Sequence, residues 1–320
     1  MKKKILYITE HLYGLLKSEQ LQSIQKSCVL ADFDLINLKD NSTIKKIKFP
    51  NMLLASGQCL ISLLKTEDFI PKANFILFGS HTEELQLEKY KDHIKEIRFI
   101  LGEPLPALLE LLLTHTLNFF KNKDCQSICS LFNQQNSISL ACELKNSKER
   151  DEMQVKISQF FQTQIEKNKG KLTTGASVYA KNLADILEEF LMNAIWDANP
   201  KYALVDRTKP IQLLEHEKVN IFCLFDGINL ILSVTDLFGS FTSNAIQKHI
   251  QFSLGIKEEN VIHEGAGGAG IGLFMILQKI GVVVFEVEKG KATRATAIAR
   301  GDQSFRDMQK RPRTLLFYEK

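Results

Sequence analysis

Leu183–Ala198 reads LADILEEFLMNAIWDA, and its reading decides the fold of the second half of the chain. Leu183, Ile186, Leu187, Phe190, Leu191, Ala194 and Ile195 recur at helical spacing, so this is an amphipathic helix with one buried stripe. Beside the stripe run Asp185, Glu189, Asn193 and Asp197, each four residues from the next and therefore neighbours on the helix surface. Like charges at that spacing cost roughly 0.2–0.5 kcal/mol per pair. A row of acceptors without an intervening cation implies a metal or a proton-donating ligand; the alternative is a solvated acidic face. Asn193 offers a carbonyl oxygen suited to Mg²⁺, and Glu189 could take a proton from a nucleophile beside a bound phosphate.

Working outward, the helix runs from about Ser177, its expected N-cap, to Ala198, before Pro200. A strand-like Ile138–Cys142 and a helix from about Lys148 to Lys167 precede it. Val219–Leu224 and Leu230–Thr235 follow, and Asp226-Gly227 between them predicts an antiparallel hairpin. A helix from Gly272 to about Ile280 and two strands, Val282–Val287 and Thr293–Ala299, complete an α/β sandwich with helices on one face.

Two further constellations carry chemistry. Gly265-Ala266-Gly267-Gly268-Ala269-Gly270-Ile271-Gly272-Leu273 places five of the chain's 17 glycines in eight positions at the start of a helix. Such a loop lets backbone amides approach an anion, and the helix N-terminus adds oriented donors. It is not a Walker loop, because no GK[ST] follows, and a hydrophilic loop rather than a strand precedes it. Asp236 ends the second hairpin strand, ahead of Leu237, Phe238, Gly239, Ser240 and Phe241; its carboxylate could receive an exocyclic amine or could simply order a turn.

In this order, Glu189-x-x-x-Asn193-Ala194, the strand-borne Asp236 and Gly268-x-Gly270-Ile271-Gly272-Leu273 resemble the N, G1 and G2 boxes of the GHKL ATPase superfamily, shared by gyrase, heat-shock chaperones, histidine kinases and MutL. The arrangement from Ser137 to Arg300 is most similar to the anti-sigma-factor serine kinases and the ATP-binding domains of histidine kinases. The resemblance implies ATP and Mg²⁺ as cofactors, with Asn193 holding the metal, Glu189 as general base, Asp236 on adenine and Gly268, Gly270 and Gly272 on the phosphates. Asp197, Gly239, Ile271, Leu273 and Thr293 join the expected cofactor-binding residues, and residues 241–267 would be the ATP lid. The family usually has glycines two and four residues after the aspartate, where this chain has Phe238 and Ser240, so its adenine pocket is built differently.

From Lys4 to about Phe120, five short apolar runs alternate with helical stretches: Ile5–Ile8, Phe33–Leu38, Met52–Ala55, Phe75–Phe78 and Phe99–Leu101, closed by a helix from Leu105 to Phe120. That alternation predicts a parallel sheet with helices on both faces. The domain resembles a flavodoxin-like response-regulator receiver whose chemistry is lost: Thr9-Glu10, Ser56 and Glu103 stand where that family needs an acidic pair, a phosphoacceptor aspartate and a lysine. A degenerate receiver serves protein contacts. The expected domains are therefore 1–120, a linker over 121–136, an ATP-binding domain over 137–301 and a basic, poorly ordered tail over 302–320.

Composition agrees with an ordinary globular protein of about two domains: 320 residues, 44% apolar and 24% charged. The net charge of +4 is spread along the chain with no basic cluster interleaved with aromatics, which disfavours nucleic acid. No apolar run reaches the roughly 18 residues of a membrane span, and Met1-Lys2-Lys3-Lys4 lacks a following signal-peptide core, so the expected location is cytoplasmic. The six cysteines form no CxxC pair and read as reduced, packed thiols. None of the seven histidines lies between 116 and 215, which disfavours a conventional autophosphorylating histidine kinase. The expected function is an ATP-dependent protein kinase or anti-sigma-type regulator acting on a partner signalling protein; the alternative is an inactive ATP-sensing module. Homodimerisation stays open.

Overall fold

A computed structural model of the chain describes residues 4–38, 52–56, 74–78, 99–102, 106–122, 126–132, 135–173, 175–244, 246, 271–311 and 313–320. The protein is mixed α/β and divides into two compact units: Met1–Gln126 with Lys310–Leu316, and Ser127–Gln309 with Phe317–Lys320.

In the first unit β1 (Lys4–Thr9), β2 (Phe33–Leu38), β3 (Met52–Ser56), β4 (Asn74–Phe78) and β5 (Phe99–Leu101) form a parallel sheet in the order β2-β1-β3-β4-β5. β1 and β2 can run parallel because helices, not a tight turn, connect them. Met52, Leu53, Leu54 and Ala55 are buried in succession, as a strand covered on both faces requires. A short α1 (Glu10–Leu15) and then α2 (Ser18–Ala31) lead from β1 to β2, and α3 (Pro106–Asn122) follows β5. α3 packs against α2, where Ser27 Oγ donates to Glu110 O at 3.1 Å. Lys4 Nζ donates to Phe120 O and Lys121 O, at 2.9 and 3.0 Å, and so satisfies carbonyls at the C-terminus of α3.

The second unit is built on an antiparallel sheet in the order β9-β10-β8-β7-β6, from β6 (Ile138–Leu144), β7 (Val219–Phe225), β8 (Asn229–Asp236), β9 (Val282–Glu288) and β10 (Ala292–Arg300). The β7–β8 hairpin turns at Asp226-Gly227: Asp226 Oδ1 accepts from Ile228 N and Asn229 N, and Gly227 takes the positive φ of 99° that glycine permits. α5 (Ala176–Met192) packs across β8 and β10, with α4 (Arg150–Lys167) and α6 (Ile271–Lys279) beside it. A reciprocal capping box starts the α4 segment: Lys148 N donates to Asn146 Oδ1 at 2.9 Å, and Asn146 N donates to Glu149 Oε2 at 3.3 Å.

Three expectations need correction. The N-cap of α5 is Gly175, which makes no side-chain capping bond; Ser177 already lies in the first turn. The stretch expected as a polar linker holds α3 as far as Asn122 and a 3-10 turn, Ile128–Phe132, whose Ile128, Cys129 and Phe132 are buried. Its five residues ICSLF are hidden in sequence by polar neighbours. Glu286 secures the turn by accepting from Ile128 N at 3.1 Å and Ser127 Oγ at 3.3 Å. The expected loose tail forms α7 (Phe305–Gln309) and β11 (Thr314–Glu319), in which Leu315, Leu316, Phe317 and Tyr318 are all buried. An apolar run of four outweighs the scattered arginines that suggested solvent exposure.

Candidate functional site

Where α5 ends, its backbone widens into a π turn over Asn193–Asp197, closed by Ala198 N donating to Asn193 O at 2.8 Å. Such single π turns recur at functional sites, since the added residue re-aims the side chains that follow. Phe190, Asn193, Ala194, Asp197 and Ala198 thereby share one wall of a cavity of about 270 Å³. The opposing floor comes from the sheet. Asp236 and Val234 of β8 lie directly across from Thr293 and Ala295 of β10, and all four line the cavity. Phe285 of β9 lines it too, stacked on Phe241 with ring centroids 4.6 Å apart. Ser240 Oγ donates to Ala198 O at 3.0 Å, tying the segment after β8 to the end of the π turn.

Asp236 is the buried polar centre of this floor. Its Oδ1 accepts from Phe238 N at 2.9 Å and Gly239 N at 3.3 Å, an aspartate-ordered turn that begins at the strand end. Burial pushes its carboxyl above the ordinary aspartate value, and the amides of Phe238, Gly239 and Thr293 together with the Thr293 hydroxyl offset part of that. The Thr293 hydroxyl is buried on the cavity floor beside this carboxylate.

Gly239 supports the floor from behind. It holds φ at 60°, its carbonyl accepts from Gly290 N at 3.2 Å, and a Cβ built on it would lie 2.1 Å from Glu288 O. Only glycine fits.

The structure therefore brings together Asn193, Asp197, Asp236 and Thr293 in one cavity, with Gly239 against Asp236. Glu189, partly buried one turn before Asn193 on α5, is not part of the lining. Gly268 and Gly270 lie outside the described residues. Ile271, Gly272 and Leu273 form the backbone of the first turn of α6. Of the expected lid only 241–244 and 246 are described.

The acidic row on α5 is not without cations, as the sequence suggested. Lys279 Nζ of α6 reaches Asp185 Oδ2 at 2.7 Å, and Arg207 Nη2 reaches Asp197 Oδ1 at 2.6 Å. Glu188, beside Glu189, pairs with Arg150 and accepts from Gln154 at 3.2 Å. Trp196 is buried under the Arg150 guanidinium, 5.1 Å from the ring centroid, in a packing role. Sequence reasoning missed Arg207, Phe285 and Ala295. Cross-strand register to Val234 could have found Ala295; nothing local marks Arg207, ten residues from its partner in a polar loop.

Among the described residues, no group of three or more His, Cys, Asp or Glu is placed to hold a metal, and no helix is long and apolar enough to cross a membrane. No known protein-family model matches the chain, and no curated protein matches it.

Proposed function

We propose that the second unit is a Mg-ATP-binding module of the GHKL type, similar to the anti-sigma-factor serine kinases, and that the chain regulates a partner signalling protein. One observation carries this reading: Asn193, Asp236 and Thr293, each expected from the sequence to contact a nucleotide or its metal, line a single cavity. The buried Asp236 carboxylate would receive the exocyclic amine of adenine, with the Thr293 hydroxyl beside it. Phe190, Phe241 and Phe285 would cover the ring faces.

Asn193 is exposed on the cavity wall, so its side-chain oxygen fits a Mg²⁺ ligand. With no cluster of acidic ligands among the described residues, the metal would arrive with the phosphates rather than sit in a protein cage. Bound there, it would supply charge neutralisation for the phosphates. In the kinase version Glu189 takes the proton from a partner's serine hydroxyl. The position of Glu189 outside the lining favours a second reading, a nucleotide-sensing module without turnover, in which ATP controls docking to the partner.

The first unit is read as a receiver-like interaction unit. Its strand order 2-1-3-4-5 is that of flavodoxin-like sheets. At the end of β1, Thr9 is buried and accepts from Leu12 N at 3.4 Å to cap α1, a structural use of the position where a receiver has a metal-binding acid. Ser56 ends β3, and Glu103 lies outside the described residues.

Calorimetric titration of ATP with Mg²⁺ tests the reading. Wild type should give heat of binding; Asn193→Ala should weaken it, and Ala295→Leu, which fills the cavity floor, should weaken it by about 10-fold or more. No heat with wild type overturns the proposal. Phosphate transfer abolished in Glu189→Gln with binding retained would select the kinase version; binding without turnover in wild type would select the sensor.

A further inference from the structure

Asp197 has so far been matched to no part of a nucleotide. Asp197, the last residue of the π turn, is one of the residues that line the cavity, and Arg207 Nη2 holds its Oδ1 at 2.6 Å. Arg207 is presented by an ordered turn: Asp206 Oδ1 accepts from Thr208 N at 3.0 Å and Thr208 Oγ1 at 2.8 Å, and Lys209 N donates to Asp206 O at 3.0 Å. The guanidinium side chain is only 20% exposed, so the pair orients the carboxylate and does not merely neutralise it at the surface.

A carboxylate in the wall repels phosphates and receives donors. A carboxylate offers about four acceptor positions, more than the pair with Arg207 occupies. The cavity also has a distinct order from floor to rim. Asp236 and Thr293 are buried; Phe190, Phe241 and Phe285 supply apolar surface; the Asp197 side chain is 44% exposed. Polar floor, aromatic walls and a carboxylate at the rim match the base edge, ring faces and sugar hydroxyls of a nucleoside.

We propose that the Asp197 carboxylate, held by Arg207, receives the vicinal 2′- and 3′-hydroxyls of a ribose, which makes the cavity selective for ribonucleotides over deoxyribonucleotides. This rests on the nucleotide reading above. Each hydroxyl donates its proton to the carboxylate; losing one such charge-assisted bond lowers affinity by about 10-fold to 100-fold.

The test titrates ATP, 2′-deoxy-ATP and 3′-deoxy-ATP, each with Mg²⁺, into the full chain. Wild type should bind both deoxy forms about 10-fold or more weakly than ATP. Asp197→Ala should weaken ATP and bring the three affinities together, and Arg207→Gln should narrow the ratio by freeing the carboxylate. A merely structural role for Asp197 would weaken all three ligands alike, so the ratio is the readout. Asp197→Asn, nearly isosteric, replaces the alanine variant if that fails to fold. Equal affinities in wild type, or a ratio unchanged in the Asp197 variants, overturns the ribose assignment and leaves the nucleotide reading standing. Binding of none of the three to wild type overturns both.

Discussion

Asp236 and its neighbours show what a single carboxylate contributes at the end of a strand. Because burial raises its folded value, the native chain keeps the Asp236 proton to higher pH than the unfolded chain does. The native state then binds more protons through that window, so the stability contributed there falls as pH rises from about 4 through the raised folded value. Asp236→Asn keeps an oxygen for the Phe238 and Gly239 amides and has no proton to lose. It should therefore be the more stable protein above that window, with no gain at lower pH. Urea midpoints measured from about pH 4 to pH 8 on both proteins would show this as a difference curve. Glu188 and Glu286, also raised by burial, titrate in both proteins and cancel in the difference. A difference that is constant with pH would remove Asp236 as the source.

At the scale of elements, the site depends on how two turns meet. The turn after β8 carries Gly239 into the turn between β9 and β10, where Gly290 N and Glu288 O leave no room for a methyl group. Gly239→Ala should cost about 2 kcal/mol or more in a urea melt, from positive φ and overlap together. Gly227→Ala, in the hairpin turn with open space around it, should cost less, since only its φ of 99° is strained. Equal losses would mean that backbone conformation alone governs both turns. The π turn at the end of α5 has a different origin. A helix continued without it would keep the 3.6-residue register, whereas the i+5 bond from Ala198 N to Asn193 O inserts a residue and leaves Asn193, Ala194, Asp197 and Ala198 on the cavity side.

For the molecule as a whole, the segment after residue 310 is part of the fold. Leu315 and Leu316 pair with Ile100 and Phe99 of β5, Gly102 N donates to Thr314 Oγ1 at 3.0 Å, and Lys320 N donates to Val287 O at 2.9 Å. Removing residues 311–320 would bare the β5 edge and uncover the Phe241 ring, which lies 6.2 Å from that of Phe317. The truncated chain should melt several degrees lower and aggregate on heating; an unchanged melting curve would show the strand to be dispensable. Much of the rest is legible from residue order. Strands, helices and the Asp-Gly hairpin follow from side-chain periodicity and turn chemistry, which act over a few positions and are written locally in the chain. So are the residue types of the site, because Asn193 shares a helix with Asp197 and Asp236 ends a strand. The pairing of Asp236 with Thr293, the clamp of Arg207 on Asp197, the wedge of Gly239 and the burial of residues 315–318 were decided by tertiary structure alone. Each joins groups that are distant in the chain or separated by a polar loop, and their energies come from burial, register and close contact, which exist only once the sheet and helices have packed.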